Sequence, residues 1–273
     1  MTDSQPTILI TGGTGFAGSH LVDHLVAQGK QRIHVTTYGS NTSYAHQLLP
    51  SDQIHQLDLT DQAATAQILA KIKPDQIYHL AALAKVGSSY EVIKKIIENN
   101  FTLQLSLFDG VRQHCPQARI LVVGSALEYQ PQNRPLKETD PLGPVNPYGV
   151  SKVLQDVLGY AYARSYQLRI IRCRPFNHIG ERQAPGFAIP DFSLQIAQIE
   201  NNSHLEPVIQ VGNLDAIRDF TDVKDVVKAY SLLMSHGQVG QAYNIGSGQG
   251  YTIKHMLNQL LALSQRKISI ETD

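Results

Sequence analysis

Ile8-Leu9-Ile10-Thr11-Gly12-Gly13-Thr14-Gly15-Phe16-Ala17-Gly18 decides the fold. An apolar run of strand type passes straight into a glycine-rich turn. Apolar residues at helical spacing follow at Leu21, Val22, Leu25 and Val26. Gly12, Gly15 and Gly18 have the spacing GxxGxxG. Between a strand and a helix, the first glycine permits the tight turn and the second lets backbone approach a pyrophosphate. The third lets the helix pack closely on the strand. The helix N-terminus then offers N–H groups and the positive end of its dipole to phosphates. The stretch points to a dinucleotide site with Thr14, Phe16 and Ala17 in the phosphate turn.

Outward from this turn, short apolar runs recur at 33–37, 53–57, 76–80, 119–124 and 168–173, with helical patterns between them. Such alternation implies parallel strands joined by right-handed crossovers, and near-continuous Ile, Leu and Val runs imply a sheet covered on both faces. The expected fold class is α/β, a doubly wound parallel sheet of the Rossmann type spanning residues 1–174. From about residue 175 Gly, Pro and Asn become frequent and the pieces shorter. Helical patterns at 187–200, 223–236 and 252–263, and short strands at 208–211, 242–245 and 268–270, read as a smaller C-terminal substrate lobe over 175–273, interleaved with the first domain. Ligands of open parallel sheets sit outside the carboxyl ends of the strands, so the crevice beside this lobe is the expected active site.

Composition narrows the chemistry. The 273 residues carry 23 Lys+Arg against 23 Asp+Glu. That balance argues against general nucleic-acid binding and against a polybasic membrane-surface protein. No apolar run approaches the length of a membrane span, and the polar first six residues lack a signal core. Cys115 and Cys173 form no disulfide framework, and no Cys/His spacing suggests a metal. A soluble cytoplasmic protein is expected.

The second strand ends Val35-Thr36-Thr37-Tyr38-Gly39-Ser40-Asn41, without the carboxylate that binds the ribose 2′-hydroxyl of NAD. Its absence removes repulsion against a 2′-phosphate, and Thr37, Ser40 and Asn41 offer donors. This favours NADPH over NADH. Tyr148 and Lys152 stand four apart in Asn146-Pro147-Tyr148-Gly149-Val150-Ser151-Lys152, on one face of a helix. An ammonium near a phenol stabilises the phenolate and lowers its pKa, which suits Tyr148 to proton transfer. Ser125, at the carboxyl end of the 119–124 run, offers a hydroxyl to a substrate carbonyl.

Together these residues resemble the extended short-chain dehydrogenase/reductase superfamily, in its sugar-nucleotide-modifying epimerase/dehydratase branch. The resemblance covers nearly the whole chain. It implies the catalytic set Ser125, Tyr148 and Lys152, with Tyr148 and Lys152 also contacting the cofactor and Lys152 hydrogen-bonding the nicotinamide ribose. It implies cofactor contacts at Gly12, Gly15 and Gly18, at Asp58 and Leu59 in Asp58-Leu59-Thr60-Asp61 beside the adenine, and at Leu80, Ala81 and Ala82 in His79-Leu80-Ala81-Ala82. Asn100 matches the Asn that opens an NxxGT-like helix, with Leu103-Gln104 in place of Gly-Thr. Arg218, in Arg218-Asp219-Phe220-Thr221-Asp222, matches an Arg that holds a nucleotide diphosphate. Asn177 is a donor to the diphosphate or sugar. Arg174 serves either a ligand or the lobe junction. Gln130 stands where the family has Gly, which makes that loop atypical.

The stretch Pro175-Phe176-Asn177-His178-Ile179-Gly180 looks like the subfamily that reduces GDP-linked 4-keto-6-deoxy-mannose. The implied reaction is NAD(P)H-dependent reduction of a C4 ketone, giving GDP-D-rhamnose. Rivals are a sugar-nucleotide 4,6-dehydratase or epimerase, and a non-catalytic dinucleotide-binding subunit. Dehydratases of the branch resemble Ser/Thr-x-Asp/Glu, whereas here the carboxylate position holds Leu127 and an acid follows at Glu128. The resemblance also implies a homodimer built by helices around 103–111 and 154–162. Relatives continue past the position of Asp273 with a stretch that helps close the nucleotide pocket. Either the sequence is a piece of a longer chain, or the pocket lacks that closure and binds substrate more weakly.

Overall fold

Seven parallel strands form the central sheet of the computed structural model, which describes residues 5–39, 42–84 and 90–272. The strands are β1 (Ile8–Thr11), β2 (Ile33–Thr37), β3 (Ile54–Gln56), β4 (Gln76–His79), β5 (Arg119–Val123), β6 (Arg169–Pro175) and β10 (Ala242–Ile245). Their order is β10-β6-β5-β4-β1-β2-β3. The order reverses at β1, which pairs β2 on one side and β4 on the other, so the glycine turn lies at the switch point where such sheets bind ligands.

Alternation along β1 builds two cores. Ile8 and Ile10 pack with Leu21, Leu25, Val226 and Tyr230, on the face covered by α1 (Phe16–Ala27) and α6 (Val223–His236). Leu9 packs with Leu107, Phe108 and Val111, on the face covered by α2 (Gln62–Ile72), α3 (Tyr90–His114) and α4 (Pro147–Ser165). The inner strands of this sheet present apolar side chains both ways, which is why their runs read as continuous, whereas the edge strand β3 has no buried position. Caps fix the helix starts: the Asp61 carboxylate accepts from the Ala64 N–H at 3.0 Å, and Asn146 Oδ1 from the Gly149 N–H at 2.8 Å, with Pro147 opening α4.

The chain divides into two compact units. One comprises the described residues up to Pro175 together with Val223–Ile245. The other comprises Phe176–Asp222 and the described residues from Gly246 onward. The sequence reading places the 223–236 helix and the 242–245 strand in the smaller lobe. The structure corrects this, because β10 continues the large sheet in register with β6, Ala242 opposite Arg172, and Val223, Val226, Val227 and Tyr230 of α6 are buried in its core. The second unit holds β7 (Asn177–Ile179), α5 (Ala188–Asn201), β8 (Val208–Val211), β9 (Ile217–Asp222), β11 (Gly250–Thr252), α7 (Ile253–Leu261) and β12 (Ser269–Thr272). Its sheets run β11-β9-β7 and β12-β8 over a core of Phe192, Ile196, Ile199, Ile209 and Leu257.

Candidate active site

The glycine turn is built for close approach. Gly12 adopts φ +69°, and a Cβ there would crowd the Ala81 backbone at 3.1 Å. At Gly18 a Cβ would stand 2.2 Å from the Gly12 carbonyl oxygen, so the helix touches the turn directly. Helix α1 begins on Gly15 with no side-chain cap and no acid in its first turn, which leaves its positive end to an anion. Leu80 and Ala81 lie against this turn: the Leu80 N–H donates to the Thr11 carbonyl at 3.3 Å, and the Ala81 N–H to Thr11 Oγ1 at 3.2 Å. Ala82 follows, half-buried.

Two cofactor expectations change, at Thr37 and at Asn100. The Thr37 hydroxyl accepts from Thr14 Oγ1 at 2.9 Å and donates to the Gly39 carbonyl at 3.1 Å, and the residue is buried. Its hydrogen is spent inside the loop, so it does not serve as a donor to a 2′-phosphate. Ser40 and Asn41 lie outside the described residues. Asn100 does not open a helix but sits in the middle of α3, fully buried. Its Oδ1 accepts from the Leu83 N–H at 2.7 Å, and its Nδ2 donates to the Leu83 carbonyl at 3.1 Å and to Ser151 Oγ at 3.0 Å. Asn100 therefore fastens the segment after β4 to α4. Asp58 is exposed, its carboxylate accepting from Thr60 N–H and O–H at 2.9 and 2.6 Å, while Leu59 is buried beside it.

Tyr148 and Lys152 share the inner face of α4, with the Lys152 ammonium 5.8 Å from the Tyr148 ring centroid. The ammonium is buried and donates to the Val123 carbonyl at 2.8 Å and to Gln155 Oε1 at 2.9 Å. The expected lowering of the Tyr148 pKa is not what the structure shows. Burial, with the Glu128 carboxylate adding to it, raises the phenol above its ordinary value. Burial brings Lys152 down to about 8, opposed by Glu128. His79, whose Nδ1 is 2.8 Å from Thr11 Oγ1, is held neutral by burial and by Lys152, its pKa pushed down to about 3.

Ser125 caps the turn that follows β5. Its Oγ accepts from the Leu127 N–H at 3.1 Å, while Glu128 Oε1 accepts from the Ser125 N–H at 2.7 Å. Glu128, missed as a determinant by sequence reasoning, is fully buried. Its other oxygen accepts from Arg174 Nε at 3.0 Å, and Arg174 donates further to Asp156 at 2.9 Å and to the Tyr129 hydroxyl at 2.9 Å. Burial and Asp156 push the Glu128 carboxyl up, against Arg174 and the Ser125 amide. Of the two roles open to Arg174 in the sequence, this resolves the side chain as a brace. Leu127, at the position a dehydratase gives to an acid, is exposed.

In the second unit Asn177 pairs in register with Phe220, and Arg218 with Tyr251, on the three-stranded sheet. Register partners point to one side of a sheet, as do residues two apart, so Asn177, Arg218, Phe220 and Tyr251 share a face. Both Asn177 and Arg218 are exposed, and Arg218 Nη1 donates only to the neighbouring Ile217 carbonyl at 2.7 Å. A cavity of about 730 Å³, which sequence reasoning missed, lies within this unit, lined among others by Ile179, Arg182, Ile189, Leu194, Phe220 and Tyr251. Its walls come from five separate elements, β7, α5, β9, β11 and α7, which no local pattern joins. Among the described residues no group of three or more His, Cys, Asp or Glu is placed to hold a metal, and no helix is long and apolar enough to cross a membrane.

A glycine cradle at the switch point, with a buried lysine and a tyrosine one helical turn apart, defines an enzyme of the extended short-chain dehydrogenase/reductase class. Residues 9–273 match the GDP-mannose 4,6 dehydratase family, and the chain belongs to that family. It is 30% identical over 269 residues to GDP-6-deoxy-D-mannose reductase of Pseudomonas aeruginosa, covering 97% of this chain and 83% of the relative. The structure of RMD from Pseudomonas aeruginosa complexed with NADPH matches with TM-score 0.85 and 29% identity, over 98% of this chain and 85% of that one. Thermus thermophilus UDP-glucose 4-epimerase in complex with NAD matches with TM-score 0.83 and 25% identity, over 97% and 85%. The activity therefore falls among the reductases, epimerases and dehydratases that work on sugar nucleotides.

Proposed function

We propose that this protein uses NAD(P)H to reduce the C4 ketone of a nucleotide-linked 4-keto-6-deoxy-hexose, converting GDP-4-keto-6-deoxy-D-mannose to GDP-D-rhamnose. The observation that carries the choice among the family's reactions is the turn after β5. Eliminating water across C5 and C6 needs an acid or base beside the sugar. Here Leu127 takes that place, and Glu128 turns inward to the Ser125 amide and Arg174. The 30% identity to a GDP-6-deoxy-D-mannose reductase supports the same reading.

The turn Gly12, Thr14, Gly15, Phe16, Ala17 and Gly18 holds the pyrophosphate on the bare start of α1. Asp58 and Leu59 take the adenine end, and Leu80, Ala81 and Ala82 line the cofactor beside the turn. NADPH is favoured, because Val35–Gly39 presents no carboxylate to repel a 2′-phosphate. The bound dihydronicotinamide supplies hydride to the ketone carbon. Tyr148 donates the proton that the resulting alkoxide needs. Lys152 lowers the cost of the phenolate left behind, which burial otherwise makes large. The Ser125 hydroxyl, which gives no hydrogen bond among the described residues, donates to the same oxygen; such a donor contributes on the order of 3 kcal/mol. Arg218 holds the diphosphate by charge-assisted hydrogen bonds, with Asn177 on the same sheet face, and the second unit's cavity receives the nucleotide end. The enzyme works as a homodimer in the cytoplasm, where the free thiols of Cys115 and Cys173 stay reduced.

NADPH oxidation with GDP-4-keto-6-deoxy-mannose, followed for wild type and Tyr148→Phe, tests this. Wild type is expected to turn over, and Tyr148→Phe to lose about 10²–10⁴-fold in kcat. Equal turnover in both removes Tyr148 from the mechanism. A protein that retains NAD and interconverts sugar nucleotides without net cofactor use is an epimerase. No turnover with any sugar nucleotide favours a binding subunit.

A further inference from the structure

The Lys152 ammonium has two neutral acceptors, and one of them is tied to a second helix. Gln155 is buried, and its Oε1 takes the Lys152 hydrogen at 2.9 Å. Its Nε2 donates to the Asn100 carbonyl of α3 at 3.0 Å, and its own backbone carbonyl accepts from Gln104 Nε2 at 2.7 Å. The side-chain amide fits one way round only. Turned over, it would set an NH₂ against the ammonium and an oxygen against the Asn100 carbonyl. Asn100 is itself fixed to Leu83 and Ser151, so a continuous run of hydrogen bonds joins the segment after β4 to Lys152.

The groups facing the ammonium show why an amide suits this place. Tyr148 stands one turn before it on α4, Glu128 beyond β5, His79 at the end of β4 and Cys173 on β6. A carboxylate in place of Gln155 would favour the ammonium but would also oppose phenolate formation at Tyr148, as Glu128 already does. An amide oxygen stabilises the positive charge and adds no negative one.

We propose that Gln155 is a positioning residue for Lys152: its amide fixes the direction of the ammonium and favours the charged form, leaving one hydrogen for the Tyr148 side of the cleft. The kinetic consequence rests on the reductase reading, while the titration below does not.

The full chain, labelled at lysine Cε, is titrated by NMR, with the Lys152 signal assigned from Lys152→Arg. Gln155→Met removes the acceptor and is expected to lower the Lys152 midpoint by about one pH unit. Gln155→Glu is expected to raise it by a similar amount. In the NADPH oxidation assay the alkaline limb of kcat moves the same way in each variant, while KM stays within about twofold. A purely structural Gln155 would lower the melting temperature in both variants and leave both midpoints in place. That result, or movement of both in one direction, overturns the proposal. Should Gln155→Met fail to fold, the isosteric Gln155→Glu carries the test. If wild type oxidises no NADPH with any keto sugar nucleotide, the reductase reading fails, yet the titration still decides the role of Gln155.

Discussion

His79 keeps a neutral imidazole where its neighbours allow no charge, since it is buried, bonded to Thr11 and close to Lys152. Its folded pKa of about 3 lies far below the ordinary 6.5. The unfolded chain therefore binds a proton between those values and the folded chain does not. The stability from this group is fully present above pH 6.5 and is lost as pH falls towards 3, with a slope approaching 1.4 kcal/mol per pH unit. Urea unfolding of wild type and His79→Gln at pH 4.5, 5.5 and 6.5 is expected to show a gap that closes towards acid, and parallel curves would refute it. Arg174 makes the opposite case, a charge that must stay. It is buried between Glu128 and Asp156, so Arg174→Leu leaves Glu128 without its counter-ion and Asp156 with Arg172 alone, and is expected to cost about 3–5 kcal/mol. Adding Glu128→Gln should recover part of that loss in the same unfolding measurement. From the sequence Arg174 had two equal readings, because nothing local reveals that Glu128, 46 positions away, turns inward to meet it.

Among the elements, what the sequence revealed followed from periodicity. The β1 turn and the strands β2, β4, β5 and β6 were legible because each must be apolar on both faces of a parallel sheet. Helix α4 was legible from Asn146-Pro147, a cap followed by a first-turn proline. Strands β7, β9 and β11 were not. Two have only three residues, and β9 reads Ile217-Arg218-Asp219-Phe220-Thr221-Asp222, with no buried position. Such segments become strands through partners distant in sequence, as when Arg218 pairs Tyr251. The β1–α1 junction has no room for a side chain at Gly18. In Gly18→Ala the new methyl would meet the Gly12 carbonyl oxygen at 2.2 Å and the Gly13 Cα at 2.9 Å. Both are backbone atoms, so the helix must retreat from the strand. A loss of about 2–3 kcal/mol is expected in urea unfolding, along with weaker NADPH binding by fluorescence titration. Unchanged binding would mean that the turn is not where the pyrophosphate rests.

Over the whole molecule, what the sequence hid was a return of the chain. Nothing in Val223–Ile245 says that it leaves the second unit to complete the first; its place is set by the vacant edge beside β6 and by the face that α6 covers with α1. The same packing reshapes the expected dimer. In α3, Leu107, Phe108 and Val111 are buried in the chain's own core, while Phe101 and Leu105 are half-buried. In α4, Lys152, Gln155 and Asp156 are buried and Leu158, Tyr162 and Ala163 pack against the core, while Val150, Leu154, Val157 and Tyr160 are exposed on the outer face. These four recur every three or four residues, which makes one continuous stripe. An apolar stripe on the outer face of a helix stays in water in a lone chain, and burial against a second copy would remove it. Light scattering at micromolar concentration is expected to give twice the mass of the chain for wild type. Leu154→Glu/Val157→Glu is expected to give a monomer with unchanged far-ultraviolet circular dichroism, since neither side chain enters the core. A wild-type monomer would show that the stripe stays exposed, and a double variant that remains dimeric would place the interface elsewhere.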